Sequence, residues 1–354
     1  MGRLDAASGV RPTGPARPAM RKALHVFAGK GPLKLGGLAD CARREGVPMD
    51  ELDVLQDTVG HDVEREEVSE PLVEDSENGV YGHGHYGVPC TTFTPMLSLS
   101  RTQKRSRTEP WGISGISDKH QRQVDASNLQ IDVTIASAKG IVDTGGEVTI
   151  ESISDYGDRD GPCFWPARAK MCPLAKTPQM VWFIAYAGLR PIHVPLCRFR
   201  RGGPRKWITI WCTPGAYAIL EPLLLVLCTH SAAEHGSALG HDADGVSNAT
   251  KTAAYPEGLC IWLAVVAAWA CRKPEGSAGK EITWGAALHP EVRKALDAQR
   301  RRPPPYASRR KLRPMEAEDR RHALIPCPHD TPAETSGEIP DRSWTVTEEG
   351  EDDE

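Results

Sequence analysis

Apolar residues recur in short runs from Leu24 to Ala270, separated by polar stretches rich in glycine and proline, and they thin out beyond Arg272. Residues 23–27 read as a strand. It leads into a loop containing Gly29, Gly31, Gly36 and Gly37, and residues 38–45 then have helical composition with Gly46 as a stop. Residues 51–55 alternate like a strand and residues 63–73 are helical in character. Residues 81–89 take the place of another strand, interrupted by Gly82, Gly84 and Gly87. Residues 91–117 read as an irregular polar and basic loop, 119–138 as a long helix and 147–150 as a short buried strand. A proline- and cysteine-containing excursion covers 155–179. Two further strands are predicted at 189–194 and 207–211, and a closing helix at 255–270.

Strands alternating with helical segments predict an open, doubly wound α/β domain with a mostly parallel sheet over residues 22–271. Residues 1–21, rich in Gly, Pro and Arg, are expected to form a flexible leader. Residues 272–354 are expected to form a disordered tail, because Pro, Arg and Glu dominate and little apolar surface is present to offset the entropy of ordering. The formal net charge of -4 conceals blocks in that tail, which is basic from 293 to 321 and acidic from 348 to 354. Its Arg300-Arg301-Arg302 and Arg309-Arg310-Lys311 runs suit phosphate binding or nuclear import, and equally a solvated face.

The ten cysteines lack framework spacing, and residues 1–20 lack the apolar core of a secretory signal, so reduced thiols and a nuclear or cytoplasmic location are expected. The most apolar segments, 223–228 and 259–271, are shorter than the roughly 20 residues that span a bilayer. No membrane association is expected.

In such a sheet, ligands bind beyond the carboxyl ends of the strands, which here means after Phe27, Asp53, Pro89 and Ile150. Gly29 and Gly31 would let a ligand approach the backbone closely, although a plain turn explains them as well. Asp53 is placed to accept hydrogen bonds from a ribose, and Asp62 to meet an adenine amino group. Cys90, in Val88-Pro89-Cys90, follows a strand directly and is a candidate nucleophile provided that nearby positive charge lowers its pKa. A buried structural cysteine is the plainer alternative. Cys228, His230 and His235, with Cys212 as a candidate fourth member, have ligand types suited to a structural zinc in a nonstandard spacing, and surface histidines beside a buried cysteine explain them too.

The order of these segments resembles the cytosine carbon-5 DNA methyltransferases, and more closely the methyltransferase-like modules of transposable elements in algae and oomycetes. Phe27-Ala28-Gly29-Lys30-Gly31 is similar to the cofactor loop of that family, and Gly36-Gly37-Leu38 to the opening of its next helix. Glu51-Leu52-Asp53, His61-Asp62-Val63, Val88-Pro89-Cys90, Glu151-Ser152, Cys197-Arg198-Phe199-Arg200, residues 207–214 and Tyr255-Pro256 follow in the family's order. The resemblance implies a Rossmann-like methyltransferase fold, S-adenosylmethionine as cofactor and DNA as partner. Phe27, Gly29, Gly31, Asp53, Asp62, Pro89 and Tyr255 would then line the cofactor pocket. Cys90 would add to carbon 6 of a cytosine flipped out of the duplex, Glu151 would stabilise protonation at the ring nitrogen, and Arg198 or Arg200 would orient the base. Arg101, Lys104, Arg105 and Arg107 could hold phosphates or form a solvated basic loop, and Trp111 could stack.

Three departures bear on activity. Pro-Pro-Cys has become Val-Pro-Cys, Glu-Asn has become Glu-Ser, and the strand before Cys90 carries His83-Gly84-His85 where apolar residues are expected. Only residues 215–251 stand where the family has a target-recognition region. A nonspecific methyltransferase and a catalytically inactive nucleic-acid-binding or interaction module therefore both remain open. A dinucleotide-dependent dehydrogenase is disfavoured, since no Gly-x-Gly-x-x-Gly follows the first strand.

Overall fold

The computed structural model describes residues 20–29, 35–94, 97, 103–200, 206–226, 228–231, 234–236 and 254–272. Six strands form one sheet: β1 (Lys22–Val26), β2 (Met49–Leu52), β3 (Tyr81–Gly87), β4 (Glu147–Ile153), β5 (Arg190–Pro195) and β6 (Trp207–Cys212). Their order across the sheet is β2-β1-β3-β4-β6-β5. The first four run parallel, as expected, whereas β6 is antiparallel to both of its neighbours. Six α-helices are found among the described residues: α1 (Leu38–Arg44), α2 (Glu66–Glu77), α3 (Asp118–Asp143), α4 (Pro178–Ala187), α5 (Pro214–Leu220) and α6 (Glu257–Cys271).

Alternation along the strands sends side chains to two cores. On one face, Leu24, Val26, Tyr86, Val148 and Ile150 pack with Leu72 of α2, Ile131 and Ile135 of α3, and Phe183 of α4. On the other, Ile192, Val194, Ile208 and Ile210 pack with Leu38 of α1, Ala216 and Leu220 of α5, and Leu259 and Leu263 of α6. The sheet is thus open and covered by helices on both sides. From β1 the chain passes outward to β2 and then back across to β3, which leaves a crevice between the carboxyl ends of β1 and β3.

The glycines that make β3 a poor strand in sequence have a packing reason. A Cβ on Gly82 would lie 2.7 Å from Cys271 Cα and 3.0 Å from Ala270 O, so only glycine lets the end of α6 lie against the strand. Two helices differ from the sequence expectation. α4 begins at the end of the presumed excursion and fills the residues between it and the next strand, and α5 opens the presumed gap after residue 214; each has proline in its first turn, where the missing N–H would have no helical partner anyway. Most of the expected leader (residues 1–19) and of the expected tail (273–354) lies outside the described residues. No described helix is long and apolar enough to cross a membrane.

Candidate active site at the carboxyl ends of β1, β3 and β4

Directly after β1, Phe27 takes a φ of 63°, the only positive φ among described non-glycine residues. A bulky residue held there costs on the order of 1–3 kcal/mol, so its surroundings must impose the turn. They do so by hydrogen bonds. The Phe27 and Ala28 N–H groups donate to Leu52 O at 2.7 and 3.3 Å, and Gly29 N–H donates to Asp53 Oδ2 at 2.8 Å. Leu55 N–H donates to the other Asp53 oxygen at 2.7 Å, and Gln56 Nε2 donates to Gly29 O at 3.0 Å. Asp53, expected to face a ribose, is therefore turned to the backbone of the loop, whose buried amides require acceptors. Asp62 is likewise engaged, accepting from Glu64 N–H at 3.0 Å in the turn before α2. A side chain on Gly29 would meet nothing within 4 Å, so the space over the loop is open. Gly31 lies outside the described residues.

Beyond β3, Pro89 is half-buried, and Cys90 is exposed and opens a 3-10 turn spanning Cys90–Thr92. That turn rests on Arg105, which is 1% exposed. Arg105 Nε donates to Thr92 Oγ1 at 3.0 Å, and its terminal nitrogens donate to Pro110 O, Asn128 Oδ1 and Val124 O at 2.6, 2.8 and 3.1 Å. The guanidinium also stacks 4.4 Å above the Phe93 ring. Arg105 is thus no phosphate contact. The loop after Cys90 is irregular, and a buried fork of donors ties it to α3 and to the Pro110 carbonyl. Lys104 is buried as well, and Arg107 donates to both carboxylate oxygens of Asp155 at 2.7 Å. Arg101 lies outside the described residues.

On the face of the sheet under α6, the two β3 histidines belong to a polar chain. His83 Nε2 and His85 Nδ1 lie 3.1 and 2.8 Å from Thr149 Oγ1 on β4, and His85 Nε2 lies 3.2 Å from the Tyr255 hydroxyl. Tyr255 donates in turn to Glu151 Oε2 at 3.0 Å. One order of protons satisfies all four contacts: His83 donates to Thr149, Thr149 to His85, His85 to Tyr255 and Tyr255 to Glu151. Both histidines are neutral in this order. Burial drives His83 down to about 3 and His85 well below its ordinary value, with the neighbouring His25 adding to both effects.

Glu151 sits on β4 beside Gly87 of β3 and Ile210 of β6. Burial raises its pKa, opposed by the Lys206 charge and by the Tyr255 hydrogen bond. The Cys90 thiol is raised chiefly by the protein packed around it, with Lys206 opposing and Glu151 adding. Cys90, Glu151, Tyr255 and Lys206 therefore share one electrostatic environment. Lys206 was not singled out from sequence, where the arginines before it looked stronger. Those arginines go elsewhere: Arg198 is exposed and donates to Thr229 Oγ1 at 2.9 Å, and Arg200 donates to Ala254 O at 3.4 Å.

A second constellation lies beyond β5. Cys228 and His230 are joined by His235, and the fourth member is Cys197, not Cys212. Cys212 lies within β6, fully buried, with its thiol donating to Ile210 O at 3.4 Å. Alternation along β6 points it into the sheet core.

Compared with known proteins, the chain matches no family model and no curated protein significantly.

Proposed function

We propose that the chain is a methyltransferase-fold protein that transfers a methyl group from S-adenosylmethionine to carbon 5 of cytosine in DNA. The observation that carries the reading is that Lys206 acts electrostatically on both Cys90 and Glu151, and Glu151 on Cys90, at a rim where Gly87, the β3 neighbour of Glu151, approaches the backbone of Phe27. The sheet order supports the finer fold, with the last strand reversed and inserted between β4 and β5. The site also fits the cofactor. Open space over Gly29, shaped by the Asp53 bonds, can take the charged end of a nucleoside cofactor, and the exposed Val54 and Leu55 offer an apolar surface to its base.

S-adenosylmethionine, when bound, supplies an electrophilic methyl group. Cys90 adds as thiolate to carbon 6, and the Lys206 ammonium is the charge that favours that form. Glu151, whose raised pKa keeps a proton available, donates to the ring nitrogen while electron density builds at carbon 5. Carbon 5 then takes the methyl group, and loss of its proton to water, with return of the ring-nitrogen proton to Glu151, expels the Cys90 thiolate and restores the ring. Tyr255 holds the Glu151 carboxyl against the sheet.

The test is covalent trapping. With cofactor present, DNA carrying 5-fluorocytosine should form a stable adduct with the wild-type chain and none with Cys90→Ser, while the variant still binds S-adenosylmethionine in calorimetry. Cofactor binding without any adduct would leave the second reading, an inactive binding module. One observation favours that reading: although Cys90 is exposed, the protein packed around its thiol outweighs Lys206 and leaves its pKa raised.

A further inference from the structure

We infer that Cys197, Cys228, His230 and His235 bind one structural zinc ion, which ties the segment after α5 to the carboxyl end of β5. The ligand atoms of these four residues all lie within 4.8 Å of one another. Individual separations are 3.5 Å between the two sulfurs, 3.2 Å from Cys228 Sγ to His235 Nε2 and 3.9 Å from Cys228 Sγ to His230 Nδ1. In a tetrahedral site with Zn–S of about 2.3 Å and Zn–N of about 2.0–2.1 Å, donor atoms are spaced by roughly 3.4–3.8 Å. The observed set brackets that spacing before any ion draws it together.

A thiol–imidazole hydrogen bond would explain Cys228 and His235 alone. It does not explain why a cysteine 31 residues upstream and a second imidazole converge on the same sulfur. The two imidazole rings stand perpendicular, 5.4 Å apart, so neither blocks the other from the centre. Two thiolates would balance a dication, which lets the group sit half-buried without an uncompensated charge. With four protein donors no position is left for water or substrate, and this is the pattern of a structural ion.

The ion would also have a local mechanical effect. Cys197 adjoins Arg198, whose bond to Thr229 joins the same two segments, and the chain from there leads to Lys206 at the start of β6. Zinc would thus reinforce the link that the Arg198–Thr229 bond makes between the end of β5 and the segment after α5. The binding itself rests on the four ligands and is independent of any methyl transfer.

The full chain, purified under reducing conditions with zinc supplied and then dialysed against a weak chelator, should retain one zinc per chain by elemental analysis. Cys228→Ser and His235→Ala should each lower that content at least fivefold, and Cys212→Ser should leave it unchanged. Cobalt substituted into the wild type should show the strong visible absorption of a tetrahedral site with a sulfur-to-metal band, a readout that needs no variant to fold. A wild-type chain without zinc, zinc that survives in the Cys228→Ser, His235→Ala double variant, weak octahedral cobalt absorption, or a Cys197–Cys228 disulfide in the fresh protein would each overturn the assignment.

Discussion

Tyr255 is held by Glu151 on one side and by His85 on the other, so its hydroxyl serves both as the donor to the carboxylate and as the last acceptor of the buried polar chain. Replacing it by phenylalanine removes the donor that favours the ionised carboxylate. The Glu151 pKa should therefore rise further, and the pH dependence of trapping should move upward, with a stability loss of about 1–2 kcal/mol. A stability loss with an unmoved pH profile would reduce Tyr255 to packing. At this scale the sequence was partly legible. Cys90 stood out because it directly follows a strand, whereas Glu151, inside β4, and Tyr255, just before α6, were singled out only by the family resemblance. Lys206 did not, since nothing local in the sequence shows that its charge, rather than that of Arg198 or Arg200, acts on Cys90 and Glu151. Arg105 was misread for the same reason: charge in a loop looks solvated until the carbonyls around it are counted.

Elements were easier to find than their edges. Short apolar segments located all six strands, only that at 51–55 by alternation, and even β3 with its three glycines was placed to within two residues. Its histidines looked out of place because an apolar face was expected, yet they pair with Thr149 on the neighbouring strand, a partner visible only once register is known. The helices α4 and α5 were missed although Thr177-Pro178 and Thr213-Pro214 are start signals, because a run of prolines before the first and an expected gap after the second masked them. One element contact is open to a direct test. Gly82→Ala would drive a methyl group into the backbone of α6, where neither side can yield by a rotamer change. We expect a loss of about 2–3 kcal/mol in denaturant unfolding, most of it as faster hydrogen exchange in α6. A neutral result would mean that α6 sits farther from β3 than the geometry requires.

For the whole molecule, the neutral histidines set a pH dependence. His83 and His85 have folded pKa values below the unfolded value of about 6.5, so the unfolded chain binds more protons in acid. Their contribution to stability is complete above about 6.5 and is lost as pH falls below it, continuing for His83 down to about 3. At pH 5 the loss is about 2 kcal/mol for His83, with His85 adding in the same direction. Urea unfolding at pH 7 and pH 5 should register it, and His83→Gln should lessen the difference; an equal difference in the variant would place the titrating groups elsewhere. The reversed strand has a consequence of another kind, for synthesis on the ribosome. Among the described strands β5 is hydrogen-bonded only to β6, and β6 fills the place between β5 and β4. Until Trp207–Cys212 has emerged, a nascent chain therefore presents β4 as a bare apolar edge, while β5 waits without a partner. The second half of the sheet can close only in one late step, and during that interval the growing chain depends on chaperones or on speed to avoid pairing with its neighbours.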